Sequence, residues 1–158
     1  MVNFRVMSIT VTLFEPQIPQ NTGNIARLCA ATNVMLHLVG EIGFSLSDKY
    51  LKRAGLDYWP HVKYKYFPSI EDYLFHCDME AVHLFTTKSN TPYTNHHFHV
   101  SDTIIFGSET QGISDTILNQ FPERCCTLPM ANPHIRSLNL STTVGIAVYE
   151  ALRQLDKL

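Results

Sequence analysis

The chain has 158 residues, 45% of them hydrophobic and 16% charged, with a formal net charge of −2. That length predicts one domain spanning 1–158 with room for a proper core, and the charge excludes a protein that coats nucleic acid by bulk attraction. No apolar run approaches the roughly eighteen residues of a membrane span, and Met1 to Val6 is followed by no apolar block of a signal peptide. The four cysteines, Cys29, Cys77, Cys125 and Cys126, include no CxxC pair. A disulfide framework is not expected, and a reducing cytoplasm is the expected location.

In chain order, Ile9 to Phe14 is β-rich and stops at Glu15-Pro16. Pro19 and Gly23 suggest a turn, with Asn21-Thr22 as helix cap, and Ile25, Leu28, Cys29 and Thr32 line one helical face. Val34 to Val39 is a second strand, completing the βαβ order of a parallel sheet. A short helix is expected over Ser47 to Ala54, broken at Gly55. Val62 to Phe67 reads as a strand whose lysines suit a sheet edge. Ser69 caps a helix to about Cys77. Ala81 to Thr86 and Thr103 to Phe106 are further strands, a helix follows from Ser114 to about Phe121, and Cys125 to Leu128 is the last strand. The final helix enters through Asn139 or Ser141, and Leu140, Val144, Ala147, Val148, Ala151, Leu152 and Leu155 form its apolar face. The class is α/β, where ligands bind at the carboxyl ends of strands.

Three loops leave strand ends: Glu15 to Arg27, Gly107 to Ser114, and Pro129 to Asn139. Gly107 and Gly112 have the spacing of a phosphate-binding loop, but Ile113 stands where that loop needs lysine. No GxGxxG follows the first strand, and no Gly-x-Ser-x-Gly elbow is present. His96, His97 and His99 lack further ligands at suitable spacing and read as a solvated loop, so no metal is expected. Cys29 reads as core. Lys49, Lys52 and Arg53 form one basic cluster, Lys63 and Lys65 another; the plain reading of both is solvated surface. Arg27 follows the first loop by about one helical turn, where it could partner a phosphate.

Asn21-Thr22-Gly23-Asn24-Ile25-Ala26-Arg27-Leu28-Cys29, Phe106-Gly107-Ser108-Glu109-Thr110-Gln111-Gly112, and Pro129-Met130 with Arg136-Ser137-Leu138-Asn139-Leu140-Ser141 together resemble the three motifs of the SPOUT superfamily of methyltransferases. Leu51 to Tyr58 and the opening Glu15-Pro16-x-Ile18-Pro19 are similar to its small tRNA 2′-O-methyltransferases of the wobble cytidine or uridine. The likeness runs from Thr10 to Leu155, leaving Met1 to Ser8 as an N-terminal extension. It implies a mostly parallel sheet flanked by helices with a C-terminal trefoil knot, and a homodimer. It also implies S-adenosylmethionine (AdoMet) as cofactor and the tRNA anticodon stem-loop as partner. It places the cofactor at Phe85, Gly107, Leu128, Met130, Ser137 and Leu138, and catalytic positions at Asn21, Arg27, Glu109, Ser137 and Asn139. Thr142 stands where the family usually has asparagine, the loop Ala131 to Ile135 is one residue longer than is common, and Ser114 replaces a frequent proline. Lys52 and Arg53 are the expected RNA contacts. The rival readings are 2′-O-methylation elsewhere on tRNA or ribosomal RNA, and a silent RNA-binding knotted dimer.

Overall fold

The computed structural model describes residues 8–47, 49, 53 and 58–158. Most of the helix expected over Ser47 to Ala54, with Lys52, lies outside the described residues, as do residues 1–7.

Among the described residues six strands form one sheet in the order β3-β2-β1-β5-β4-β6, with every pairing parallel. They are β1 (Thr10–Phe14), β2 (Met35–Val39), β3 (Tyr64–Phe67), β4 (Val82–Phe85), β5 (Thr103–Phe106) and β6 (Cys125–Cys126). The α-helices whose bounds fall among the described residues are α1 (Pro19–Thr32), α2 (Ile70–Phe75), α3 (Asp115–Gln120) and α4 (Leu140–Gln154). Strands buried on both faces need apolar residues at successive positions, and side-chain alternation sorts these into two cores. Val11, Leu13, Leu36, Leu38, Ile104 and Phe106 pack with α1 and α4 residues such as Ile25, Cys29, Val144 and Val148. Phe14, Val39, Leu84 and Ile105 pack on the other face with Tyr73 of α2 and Leu118 of α3. The adjacent Cys125 and Cys126 fall into opposite cores, as strand alternation requires. All four cysteines are free, and burial pushes the Cys29 thiol up to about 12. Among the described residues no helix is long and apolar enough to cross a membrane.

Among the boundaries that differ from the sequence reading, three bear on caps and strand ends. First, α1 begins at Pro19 and has Ile18, with no side-chain bond, at its cap position; Asn21 and Thr22 lie inside the helix. Proline suits the first helical position, where its missing N–H and fixed φ do no harm. Second, β6 stops at Cys126 because Thr127 changes partner. Its N–H donates to the Thr91 carbonyl (2.9 Å), and its own carbonyl accepts from the Tyr93 N–H (2.8 Å). Third, α2 ends at Phe75, with Ser69 Oγ accepting the Asp72 N–H at 3.1 Å as its cap.

From β1 the chain winds outward through β2 to β3, then restarts on the other side of β1 with β4 and β5. The winding therefore reverses between β1 and β5. At such a switch the loops beyond the strand ends diverge, and a crevice opens between them.

Candidate functional site

The residues after β4, β5 and β6 enclose a cavity of about 620 Å³, within the range of small-molecule sites. Phe85, Gly107, Leu128, Met130, Ser137 and Leu138 all line it, together with Glu109 and Arg136. Phe85 and Phe106 stand with ring centroids 5.0 Å apart at its floor. Apolar walls with polar groups at the rim suit a ligand with one flat apolar part and one charged part.

Gly107 is dictated by the turn that forms the wall. The chain folds back so that the Gly112 N–H donates to the Ser108 carbonyl at 3.0 Å, and Gly112 takes a left-handed φ of +66°. A Cβ on Gly107 would lie 1.9 Å from the Gly112 carbonyl carbon and 2.2 Å from the Ile113 nitrogen. The two glycines thus close a loop on itself, and Ile113, buried at 3% exposure, anchors that loop in the second core.

Glu109 reaches across the switch point to the start of α1. Its carboxylate accepts the N–H groups of Gln17 (2.8 Å) and Ile18 (3.1 Å), and the Asn21 side-chain amide at 3.4 Å. A carboxylate at a helix N-terminus is favoured by the helix dipole and satisfies free donors there. Asn21 Oδ1 in turn accepts from Asn139 Nδ2 at 3.1 Å. Asn139 Oδ1 caps α4, accepting the Ser141 N–H (2.9 Å), the Ser141 hydroxyl (2.6 Å) and the Thr142 N–H (3.4 Å). One hydrogen-bonded chain, Glu109–Asn21–Asn139, thereby joins three loops far apart in sequence. Asn21 and Asn139 do not line the cavity themselves; Glu109 does, and carries the chain to its wall.

Arg27 is exposed on α1 and is not among the residues lining this cavity. Its guanidinium lies 4.6 Å from the centre of the Tyr58 ring, a cation–π stack.

Sequence reasoning passed over the loop after β4. Thr86, Thr87 and Lys88 line the cavity, and Lys88 Nζ pairs with Asp115 Oδ1 at 2.5 Å. Their position at a strand's carboxyl end was the available signal. The histidine loop also differs from its reading as solvated. His97 and His99 are exposed, but His96 is half-buried, its Nδ1 2.8 Å from Nδ1 of buried His83. His83 Nε2 meets Asp102 Oδ2 at 2.8 Å. Burial, then the neighbouring His83, holds His96 below the ordinary imidazole value. This relay sits at the amino ends of β4 and β5, opposite the cavity, and α4 pins it: Gln154 accepts the Phe98 N–H (2.9 Å) and donates to the His96 carbonyl (3.0 Å). Among the described residues no group of three or more His, Cys, Asp or Glu side chains could hold a metal ion.

Comparison with known proteins places this geometry. A Bacillus subtilis protein bearing, provisionally, the name tRNA (cytidine(34)-2′-O)-methyltransferase is 47% identical over 153 residues, covering 94% of each chain. The tRNA (cytidine(34)-2′-O)-methyltransferase of Methylovorus glucosotrophus is 44% identical over 147 residues, covering 92% of this chain and 95% of its own. A solved structure described as giving structural insights into 2-OH methylation of C/U34 on tRNA superposes with a TM-score of 0.89 at 39% identity, covering 96% of this chain and 99% of the other. The AdoMet complex of the SpoU methyltransferase AviRb from Streptomyces viridochromogenes shares the fold, with a TM-score of 0.82 at 20% identity over 99% of this chain and 64% of its own. Residues 8–149 match the SpoU rRNA Methylase family, and the chain belongs to that family.

Proposed function

We propose that this protein transfers the methyl group of AdoMet to the ribose 2′-hydroxyl of the wobble nucleotide, cytidine or modified uridine 34, of tRNA. The observation that carries this reading is the cavity at the carboxyl ends of β4, β5 and β6, joined through Glu109 to the Asn21–Asn139 chain. The two tRNA (cytidine(34)-2′-O)-methyltransferase relatives, alike over nearly their whole lengths, supply the substrate class.

The residues present fit AdoMet. Phe85, Leu128, Met130 and Leu138 would hold its adenosine part, Gly107 allows close approach of backbone, and Ser137 offers a hydroxyl. Bound there, the cofactor supplies an electrophilic methyl on a positively charged sulfur. The protein's task is then alignment of the ribose hydroxyl and management of its proton. A guanidinium donates hydrogen bonds and accepts none, so Arg27 orients the hydroxyl and its neighbouring phosphate rather than removing the proton. Glu109 fixes Asn21, Asn21 fixes Asn139, and Asn139 sets the start of α4 behind Ser137.

Arg27 does not line its own chain's cavity, which supports a homodimer in which it serves the cavity of a second copy. Helices α1 and α4 pack on each other and leave Ile18 and Tyr149 exposed at 40% and 48%, apolar surface that a second copy would cover. The C-terminal trefoil knot belongs to the same reading, as the resemblance to the SPOUT superfamily implies. The enzyme would act in the cytoplasm, where its free cysteines stay reduced.

The test is methyl transfer from labelled AdoMet to total unmodified tRNA, followed by mapping of the modified nucleoside. A 2′-O-methyl group at nucleotide 34 is expected, and methylation elsewhere or no transfer overturns the assignment. Arg27→Lys, which keeps the charge but loses the planar fork, is expected to lower the rate at least tenfold; near-full activity would refute bidentate positioning.

A further inference from the structure

We propose that the edge strand β3 and the turn before it form a stacking platform for single-stranded RNA, receiving the anticodon-loop nucleotides that flank the methylated ribose. The proposal rests on the tRNA reading above and names the surface that would hold the rest of the loop. The starting observation is exposure of large rings: Tyr58, Tyr64 and Tyr66 are 37%, 38% and 47% accessible. Tyr64 and Tyr66 lie opposite Leu36 and Leu38 of β2 in the parallel register, so both project to the α1 side of the sheet. Trp59 lies 5.2 Å from Tyr64, centre to centre, and the neighbouring Tyr58 carries the Arg27 guanidinium. The Tyr66 hydroxyl donates to the Gly40 carbonyl at 3.2 Å, which holds an exposed ring in place. A line of aromatic groups thus runs from Arg27 along the sheet edge.

Charge indicates what covers it. Residues 49–70 carry Lys49, Lys52, Arg53, Lys63 and Lys65 against one carboxylate, Asp57, in a chain whose net charge is −2. Lys63 and Lys65 are exposed and form no ion pair among the described residues. Lys65 lies opposite His37 and so projects to the other side of the sheet from Tyr64 and Tyr66. Rings that accept any base by stacking on one side of an edge strand, with cations on its other side to meet phosphates of a chain lying along that edge, are the chemistry of single-strand recognition. A second protein chain adding to this edge would be opposed by the same lysines, which protect edge strands from pairing.

The test uses the full chain and a fluorescently labelled anticodon stem-loop. Tyr64→Ala with Tyr66→Ala is expected to weaken RNA binding at least tenfold, since each lost stack weakens binding by about fivefold or more. Lys63→Ala with Lys65→Ala should lower the slope of log affinity against log salt by about 1 for each lysine that meets a phosphate. Tyr66→Phe keeps the ring but loses its bond to Gly40, and should bind more tightly than Tyr66→Ala and within about threefold of the parent. AdoMet affinity, measured by calorimetry, should stay within about twofold in every variant. Unchanged RNA affinity in the alanine variants, with AdoMet binding intact, overturns the platform while leaving the methyltransferase reading standing. A loss of RNA binding that tracks a change in oligomeric mass overturns it in favour of an interface between copies. Failure of the parent protein to bind the stem-loop overturns both. Should the double tyrosine variant not bind AdoMet, Tyr66→Ala alone and the lysine pair decide by the same criteria.

Discussion

Asn139 has two separable jobs, and a pair of substitutions pulls them apart. Its Oδ1 caps α4 by accepting the backbone N–H groups of Ser141 and Thr142, while its Nδ2 donates to Asn21 across to α1. Replacing an N-cap asparagine by alanine removes about 1 kcal/mol, and the cross-helix hydrogen bond is worth about another 1 kcal/mol net. Asn139→Ala should therefore destabilise by about 2 kcal/mol. For a chain of 158 residues each kcal/mol moves the melting temperature by roughly 2–4 °C, giving a fall of about 4–8 °C. Asn139→Asp keeps the cap and adds a charge at the helix N-terminus, worth about 0.3–1 kcal/mol, while losing the donor to Asn21. It should melt within about 3 °C of the parent. Calorimetry at pH 7 on both variants gives the comparison. In methyl transfer the order changes: both should be impaired, because both break the Glu109–Asn21–Asn139 chain. If Asn139→Asp melted as low as Asn139→Ala, capping would not be the stabilising contribution. If it also kept full activity, the link to Asn21 would have no role in the site.

Gly107→Ala would force a methyl group into backbone atoms 1.9–2.4 Å away; AdoMet binding should weaken at least tenfold, and calorimetry showing affinity within threefold of the parent would refute the loop's role as cavity wall. Thr22 Oγ1 is buried and finds no hydrogen-bond partner in the structure, so Thr22→Val should raise stability by about 1 kcal/mol, or roughly 2–4 °C in melting temperature. His37 is held neutral by burial and then by Lys65, its value lowered from 6.5 to about 4. The unfolded chain binds that proton first as pH falls, so stability present above about pH 6.5 should drain away toward pH 4. A His37→Asn variant should lose stability less steeply across that window; an unchanged slope would show that His37 is not the group responsible.

The sheet was legible because its physics is local. Val11 and Leu13 against Thr12 and Phe14, or Ile104 and Phe106 against Ile105, announce strands covered on both faces, and the lysines at 63 and 65 announced the edge that β3 occupies. What escaped was fixed by partners remote in sequence. Nothing near Thr127 indicates that it will leave β4 for Thr91 and Tyr93. Tyr58 gives no local sign of lying against Arg27. Thr86 to Lys88 could have been found by the strand-end rule alone, but no glycine or motif drew notice to them.

The misplaced start of α1 is the most instructive difference, because it and the candidate site are one fact. Local rules assign Asn21 to a helix cap, since a side-chain oxygen near a helix start ordinarily satisfies the free N–H groups there. Glu109, 88 residues later, accepts from that helix start instead. A carboxylate with two oxygens can take two backbone donors and still accept a third, from the Asn21 amide. Released from capping, Asn21 turns its own oxygen to Asn139, and the start of α1 becomes coupled to the start of α4. A short-range cap at Asn21 would have served the Gly23 and Asn24 N–H groups and left the three loops independent. The longer-range arrangement instead satisfies the Gln17 and Ile18 N–H groups that lead into α1, while fixing the relative positions of the loops, which is what a methyl transfer limited by alignment requires.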